Sequence, residues 1–186
     1  GAAATSGGRP GAPVTDPLGI LHGLRQPDRR SCGASVVVAA RMIGEPSYAA
    51  SMTPERFADE ALVAHRRITA HAVAGLPWPR ALGTPPWAVA GELGPRHVTR
   101  LAWPGVGAGF DRVSASVRAG HLAAFYVGNR WCPRHVVLAV AAPEADRLLV
   151  YEPSSGRVLP VDRRSVVEHR MRLAGWDRLW FVVHSH

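Results

Sequence analysis

The sequence predicts an α+β protein, with helices in its N-terminal half and a small antiparallel sheet in its C-terminal half. Two observations lead to this prediction. Up to Gly94, helix-start and helix-stop residues frame segments of helical period. After that point the segments are short, apolar or alternating, and turn residues separate them. Helices first and strands afterwards are typical of the α+β class. At 186 residues the chain is about the size of one ordinary domain.

The N-terminal half divides into a leader and three predicted helices. Residues 1–17 are small residues, glycine and proline without periodicity, so we interpret them as a flexible leader or linker before one domain of residues 18–186. The first helix is predicted over residues 32–42, with Ser31 as its N-cap and Gly44 as its C-terminal stop. Start signals predict two more helices, from Thr53-Pro54-Glu55 to about Arg67 and from Thr84-Pro85-Pro86 to near Gly94.

The C-terminal half contains short apolar segments that are typical of strands. Turn residues such as Gly128-Asn129 and Pro153-Ser154-Ser155-Gly156 separate these segments. Short helices are predicted over residues 110–120 and 162–169. The predicted strands cover residues 97–103, 121–127, 134–142, 146–152, 156–161 and 178–184.

Composition narrows the classes of function. The formal net charge is +8, and all 22 basic residues are arginine. These arginines are spread along the chain without the clustered patch of a nucleic-acid-binding protein, so we predict no nucleic-acid partner. The charge favours an acidic or anionic partner, but only weakly. No apolar run approaches the roughly 20 residues that span a bilayer, so no membrane span is predicted.

Metal and cofactor sites are not predicted. The remaining histidines show no metal-ligand spacing with each other or with acids, and no glycine-rich phosphate loop lies in a strand–helix frame. The two cysteines, Cys32 and Cys132, are too few for a disulfide framework or a four-thiolate zinc site. Cys132 lies three residues before His135, and three interpretations of it stay open: a bystander, a partner that bridges Cys32 until reduced, or the nucleophile.

Cys32 begins the predicted helix in the stretch RQPDRRSCGASVVVAARMIG, a position that suits a nucleophile. Unpaired backbone N–H groups and the helix dipole favour an anion there, and the thiolate is the attacking form of a thiol. Taken alone, a small buried residue at a helix start is the simpler interpretation.

Three more residues fall in the order that a thiol-based site requires. His135 begins an apolar strand and is a candidate general base. Glu152 ends the next strand, where its carboxylate would hold the second ring nitrogen of His135. Gln26 precedes Cys32 by six positions and would donate to an oxyanion beside the Cys32 backbone N–H. Each residue alone has an ordinary structural explanation, whereas their joint order favours catalysis.

This order resembles the papain-like cysteine peptidase superfamily, in particular its small bacterial branch of bacteriocin-processing (double-glycine leader) peptidases. The resemblance spans roughly residues 21–183 and implies a papain-like fold, with the nucleophile at a helix N-terminus packed on the sheet. Two departures stand out: the acid is glutamate where the family has aspartate, and Cys132-Pro133-Arg134 replaces the glycine before the histidine. The matching motifs are Gln26, Cys32-Gly33, His135-Val136-Val137 and Glu152-Pro153 with Gly156.

The sequence therefore predicts a cysteine peptidase that hydrolyses an amide bond of a peptide or protein. Cys32, His135 and Glu152 would form its catalytic triad, with Gln26 as oxyanion donor. Two alternatives stay open: a transglutaminase-like acyltransferase or glutamine deamidase, as in a secreted toxin domain, and a binding domain of this fold with a degenerate triad. We expect an extracytoplasmic or secreted bacterial protein, with a cytoplasmic location left open and no oligomeric state predicted.

Overall fold

A six-stranded antiparallel sheet with helices on both faces forms the protein, in a computed structural model that describes residues 16–79 and 82–186. The strands are β1 (His97–Leu101), β2 (Ala123–Gly128), β3 (Pro133–Glu144), β4 (Arg147–Glu152), β5 (Arg157–Asp162) and β6 (Arg178–Ser185). They lie in the order β1-β6-β2-β3-β4-β5, and every neighbouring pair is antiparallel. The helices are α1 (Pro17–Ile20), α2 (Cys32–Gly44), α3 (Pro46–Ala50), α4 (Pro54–Ala70), α5 (Pro86–Leu93), α6 (Val106–Arg118) and α7 (Arg163–Val167).

The α+β class and the helices-first order are confirmed, with small differences at element ends. The short helices α1 and α3 were not predicted, because a helix of one turn shows no periodicity. Helix α6 begins four residues before its predicted start. The glycines there weaken helix propensity, but Gly109 lets α6 approach Ala102, Leu179 and Val182 closely. Gly44 is the last residue of α2 rather than a left-handed stop beyond it.

Strands β2 and β3 are buried on both faces, which explains their unbroken apolar sequence. Side chains along a strand alternate between the two faces of its sheet. Tyr126 and Val136 face the core shared with α2 and α4, whereas Phe125 and Val137 face the core shared with α6. Both strands therefore carry apolar residues at consecutive positions instead of alternating with polar ones.

Helix α2 places Cys32 at its first residue and is anchored in the core along its length. Val36 and Ala39 are fully buried, and the helix packs against β3 and α4. The prediction that the cysteine-bearing helix packs on the sheet is confirmed.

Of the leader predicted for residues 1–17, residues 1–15 lie outside the described part of the chain. Asp16 and Pro17 instead begin α1, whose first turn is capped by the Asp16 side chain. Within residues 16–79 and 82–186, no helix is both long and apolar enough to cross a bilayer.

Replacement of Gly33 by alanine is expected to destabilise the protein, although alanine is the better helix former. An added Cβ would stand 2.6 Å from the Thr84 Cβ. Thr84 has little freedom to move, because its carbonyl accepts a hydrogen bond from Tyr126 and its hydroxyl lies 3.4 Å from His65 Nδ1. We expect a loss of about 1–3 kcal/mol in the free energy of unfolding, measured by urea denaturation.

The matched control for this prediction is Gly44→Ala on the same helix. An added Cβ at Gly44 meets nothing within 4 Å, so this variant should be neutral or up to about 1 kcal/mol more stable. Equal stability of the two variants would show that Thr84 does not constrain the start of α2.

Candidate active site

A cavity of about 760 Å³ lies at the N-terminal end of α2 and is lined by both Cys32 and His135. Cavities of roughly 300–1,000 Å³ are typical of ligand-binding sites. Both residues are almost fully buried by their neighbours, with 4% of Cys32 and 5% of His135 exposed. The site therefore combines a shielded thiol and imidazole with space for a ligand.

The register of β3 and β4 brings His135 and Glu152 together. Leu138 pairs with Tyr151 in this antiparallel pair, so Glu152 comes opposite Val137. His135 lies two residues from Val137 along β3, near the end of β4 that carries Glu152. His135 Nε2 donates to Glu152 Oε1 over 2.6 Å.

The Glu152 carboxylate is buried and fully hydrogen-bonded. Besides His135, Oε1 accepts from the backbone N–H of Ser154 at 2.7 Å. Oε2 accepts from the Ser154 hydroxyl at 2.8 Å and from the Ser155 N–H at 3.0 Å. Burial raises the pKa of Glu152, but these hydrogen bonds outweigh it and lower the pKa to about 2. The extra methylene of glutamate thus lets the carboxylate reach both His135 and the following turn.

His135 bonds to this carboxylate and lines the same cavity as the Cys32 thiol. Burial lowers the pKa of His135, whereas hydrogen bonds with Cys32 and Glu152 raise it, and the net pKa is about 9. Since Nε2 faces Glu152, Nδ1 is the ring atom left for the Cys32 sulfur. The structure thus brings three of the four predicted site residues into one buried array.

The turn between β4 and β5 fixes the segment that contains Gln26. The Gln26 N–H donates to the Pro153 carbonyl at 2.8 Å, and the Gly23 N–H donates to the Gly156 carbonyl at 2.8 Å. Gly156 has a φ of +65°, and a Cβ there would stand 2.8 Å from the Leu24 carbonyl oxygen. Glycine at this position therefore allows the turn and the segment to touch.

The Gln26 side chain does not line the cavity in this structure. Its Nε2 donates to the Asp28 carbonyl at 2.7 Å, while Oε1 is buried without a partner among the described residues. An amide nitrogen has two hydrogens, so one N–H is free for a further acceptor. Gln26 is thus near Cys32 in sequence and anchored to its loop, and its oxyanion contact stays a prediction.

Asp28 shapes the turn that leads into α2. Its Oδ1 accepts from the backbone N–H groups of Arg30 and Ser31 at 2.8 and 2.9 Å. Burial raises the pKa of Asp28, but the hydrogen bonds from Arg30 and Ser31 outweigh it, and the pKa is lowered. Sequence reasoning missed this residue, although an aspartate before a tight turn is its usual signal.

Ser31 occupies the predicted N-cap position without capping the helix through its side chain. Its hydroxyl donates to the Asp28 carbonyl at 3.3 Å instead of accepting from the first turn. The expectation of a Ser31 side-chain cap is wrong, because Asp28 engages that hydroxyl. The backbone N–H groups at the Cys32 end of α2 consequently receive no side-chain cap.

Cys132 also lines the cavity, and both cysteines are free. Its backbone N–H donates to Asn129 Oδ1 at 3.0 Å, and its sulfur lies 3.8 Å from the same oxygen. Cys32, and not Cys132, is the thiol that contributes to the raised pKa of His135. No disulfide joins the two cysteines in this structure.

Tyr126 is a further cavity residue that sequence reasoning missed. Its hydroxyl donates to the Thr84 carbonyl at 2.9 Å. Burial first, and then the charge of Cys32, raise the pKa of Tyr126 well above its ordinary value. The phenol therefore stays protonated and ties the loop before α5 to the sheet. No local pattern distinguishes Tyr126 from the other core residues of β2.

Metal ligation has no support in the described part of the chain. Within residues 16–79 and 82–186, no group of three or more histidine, cysteine, aspartate or glutamate side chains is arranged to hold a metal ion.

Comparisons with known proteins give one distant likeness. No protein-family model matches the chain, and no curated protein matches it. Among solved structures, the chain is similar to the peptidase domain of Streptococcus ComA, a bifunctional ABC transporter involved in a quorum-sensing pathway. The identity is 13% and the TM-score 0.43, over 88% of this chain and 97% of that domain. At this identity and TM-score the likeness carries no argument about function.

The His135–Glu152 pair predicts a defined pH dependence of stability relative to Glu152→Gln. The His135 pKa is raised, so its stabilisation is complete below pH 6.5 and is lost as the pH rises through about 9. The Glu152 pKa is lowered, so its stabilisation is complete above pH 4.5 and is lost as the pH falls towards 2. Between pH 4.5 and pH 6.5 both contributions are complete. In this range the free energy of unfolding of the wild type should exceed that of Glu152→Gln by about 3 kcal/mol.

Urea denaturation of both proteins from pH 3 to pH 10 measures this difference. Glu144→Gln is the control, since Glu144 is exposed and its ion pair among the described residues is with the likewise exposed Arg147. Its stability should differ little from the wild type at any of these pH values. A constant difference between wild type and Glu152→Gln across the range would contradict the ionised pair.

Proposed function

We propose that the protein is a papain-like cysteine peptidase that uses Cys32 as its nucleophile. The observation behind this proposal is the buried His135 ring, which bonds to the Glu152 carboxylate and shares an open cavity with the Cys32 thiol. Cys32 also contributes to the raised pKa of His135. A nucleophile, a base and a residue that orients the base are the three parts of a catalytic triad.

The resting state of such a site is a thiolate paired with an imidazolium. Glu152 fixes the ring through Nε2 and stabilises its positive charge, and the raised pKa of His135 favours the protonated ring at neutral pH. As His135 takes up the Cys32 proton, the sulfur would attack as a thiolate.

Attack on an amide carbonyl would form a tetrahedral oxyanion next to the start of α2. The uncapped N–H of Cys32 and the free N–H of the Gln26 amide are candidate donors to this oxygen. His135 would give its proton to the leaving amine as the C–N bond breaks, leaving an acyl-enzyme. Water, deprotonated by His135, would then release the acid and restore the thiol.

The departure from the family's aspartate does not weaken the array. Glu152 reaches His135 over 2.6 Å and uses its remaining lone pairs on Ser154 and Ser155. This geometry favours a working triad over a degenerate binding domain. The same atoms would also serve two related reactions. In acyl transfer an amine would replace water as the acceptor, and in glutamine deamidation a side-chain amide would replace the backbone amide as the substrate.

Thiol labelling tests the proposal without knowledge of the substrate. Iodoacetamide should modify Cys32 at a rate that changes less than about threefold between pH 6 and pH 8, because the proposal pairs the thiolate with a protonated His135 ring. An ordinary thiol gains about 100-fold over the same range. Mass spectrometry of tryptic peptides reports both cysteines, so Cys132 is an internal control.

Cleavage of a pooled peptide library extends this test to the reaction. Cys32→Ala should abolish cleavage and Cys132→Ala should retain it. Ammonia release from glutamine peptides without backbone cleavage would instead assign deamidation. Ordinary pH dependence of Cys32 labelling, together with intact activity in Cys32→Ala, would overturn the proposed nucleophile.

Gln26→Ala separates oxyanion stabilisation from thiol activation. We expect kcat for an amide substrate to fall about 100-fold, the usual cost of losing one oxyanion donor. Alkylation of Cys32 by iodoacetamide forms no oxyanion, so its rate should remain within about twofold of wild type. An unchanged kcat would exclude Gln26 as the donor, and an equal fall in both rates would indicate a structural effect.

A further inference from the structure

We propose that the cavity selects peptides with a large aromatic or aliphatic side chain and an acidic side chain close to the scissile bond. This inference rests on the proposed peptidase function and assigns a substrate class to it. Two independent features of the cavity wall lead to it: an excess of aromatic surface and a set of unpaired arginines.

Aromatic side chains are concentrated in the cavity. They supply five of its nineteen lining residues, although aromatic residues make up only 7% of the chain. Burial of an aromatic or aliphatic side chain against such a surface is favourable, at about 25 cal/mol per Å² of apolar area. The five are Trp78, Trp87, Tyr126, Trp176 and Phe181.

Trp78 and Trp87 form a rigid apolar corner of this wall. Their rings meet edge to face, with centroids 5.4 Å apart. The Trp87 indole N–H donates to the Ala72 carbonyl at 2.6 Å, so the ring is fixed while 49% of Trp87 remains exposed. A fixed, exposed ring binds an apolar partner without losing further rotational freedom. The corner therefore suits a large apolar side chain.

Three arginines line the same cavity: Arg29, Arg30 and Arg134. None of them forms an ion pair with an acidic residue in the described part of the chain, although other arginines do. No aspartate or glutamate belongs to the described lining of the cavity. A ligand carboxylate would thus meet positive charge on the wall and no acidic side chain among the described lining residues.

Two of these arginines are close in sequence to Cys32 and His135, so a substrate carboxylate bound to them would lie near the reacting bond. Arg30 lies two residues before Cys32, and Arg134 directly precedes His135. An extended peptide advances about 3.3 Å per residue, so an acidic side chain within about three residues of the scissile carbonyl can reach one of them. The aromatic corner and the arginines would therefore recognise neighbouring residues of one substrate segment.

A random decapeptide library with products sequenced by mass spectrometry tests the inference. Aspartate or glutamate, and phenylalanine, tryptophan, tyrosine, leucine or methionine, should be enriched within three residues of cleaved bonds. The best peptide is then compared with its Glu→Gln isostere. We expect about fivefold higher kcat/KM for the acidic form, since one exposed ion pair supplies no more than this, and the ratio should shrink in 0.5 M NaCl.

Substitutions in the cavity wall test whether its arginines and Trp87 cause the acidic and aromatic preferences. Arg30→Gln/Arg134→Gln should bring the Glu-to-Gln ratio close to one, and Trp87→Ala should remove the aromatic preference. Arg66→Gln is the matched control, because Arg66 is exposed, forms no ion pair with a described acid and lies outside the cavity. Iodoacetamide labelling of Cys32 should keep its flat pH profile in all of these variants, which shows that the site is intact.

The outcomes separate this inference from the proposed function. Cleavage without acidic or aromatic enrichment, or a Glu-to-Gln ratio that survives the double substitution, overturns the inference alone and leaves the peptidase standing. A lack of cleavage together with ordinary pH dependence of Cys32 labelling overturns the proposed function, and this inference with it.

Discussion

The hydrogen bond between His135 Nε2 and Glu152 Oε1 is the constraint on which the site depends. Both side chains are buried, so an unpaired charge on either would be costly, and neither can leave the other without that penalty. The carboxylate is held in turn by the Ser154–Ser155 turn, which removes its freedom to rotate. The orientation of the ring towards Cys32 follows from this chain of contacts. The fold thus holds the His135 ring in place before any ligand arrives.

The sheet and α2 fix the positions of the other residues of the site. Strands β3 and β4 fix the diagonal contact of His135 with Glu152, and the burial of β3 on both faces resists displacement. Helix α2 is anchored by its core residues and presents Cys32 at its uncapped first turn. The turn between β4 and β5 also holds the segment around Gln26, so one structural feature positions both the acid and the candidate oxyanion donor.

The sequence was sufficient to predict the class of fold and the proximity of His135 to Glu152, because both depend on patterns that are local or sequential. The periodicity of apolar and polar residues predicts the helices and strands. The order of Cys32, His135 and Glu152 along the chain predicts that they lie close together, once the pairing of β3 with β4 is assumed. The rest depends on contacts that no pattern shows. The Asp28 carbonyl accepts hydrogen bonds from the Ser31 hydroxyl and the Gln26 amide. The Tyr126 hydroxyl donates to the carbonyl of Thr84, which is distant in sequence. Tertiary packing at Gly109 likewise overrides the weak helix propensity at the start of α6.

The most direct test of the account is the protonation state of His135, measured by ¹⁵N NMR of histidine-labelled protein. His135→Gln would assign the resonance among the nine histidines. Both ring nitrogens should carry protons at pH 7.5, and the ring should lose a proton near pH 9, in line with its raised pKa. A neutral His135 ring at pH 7.5 would contradict a thiolate–imidazolium pair held by Glu152.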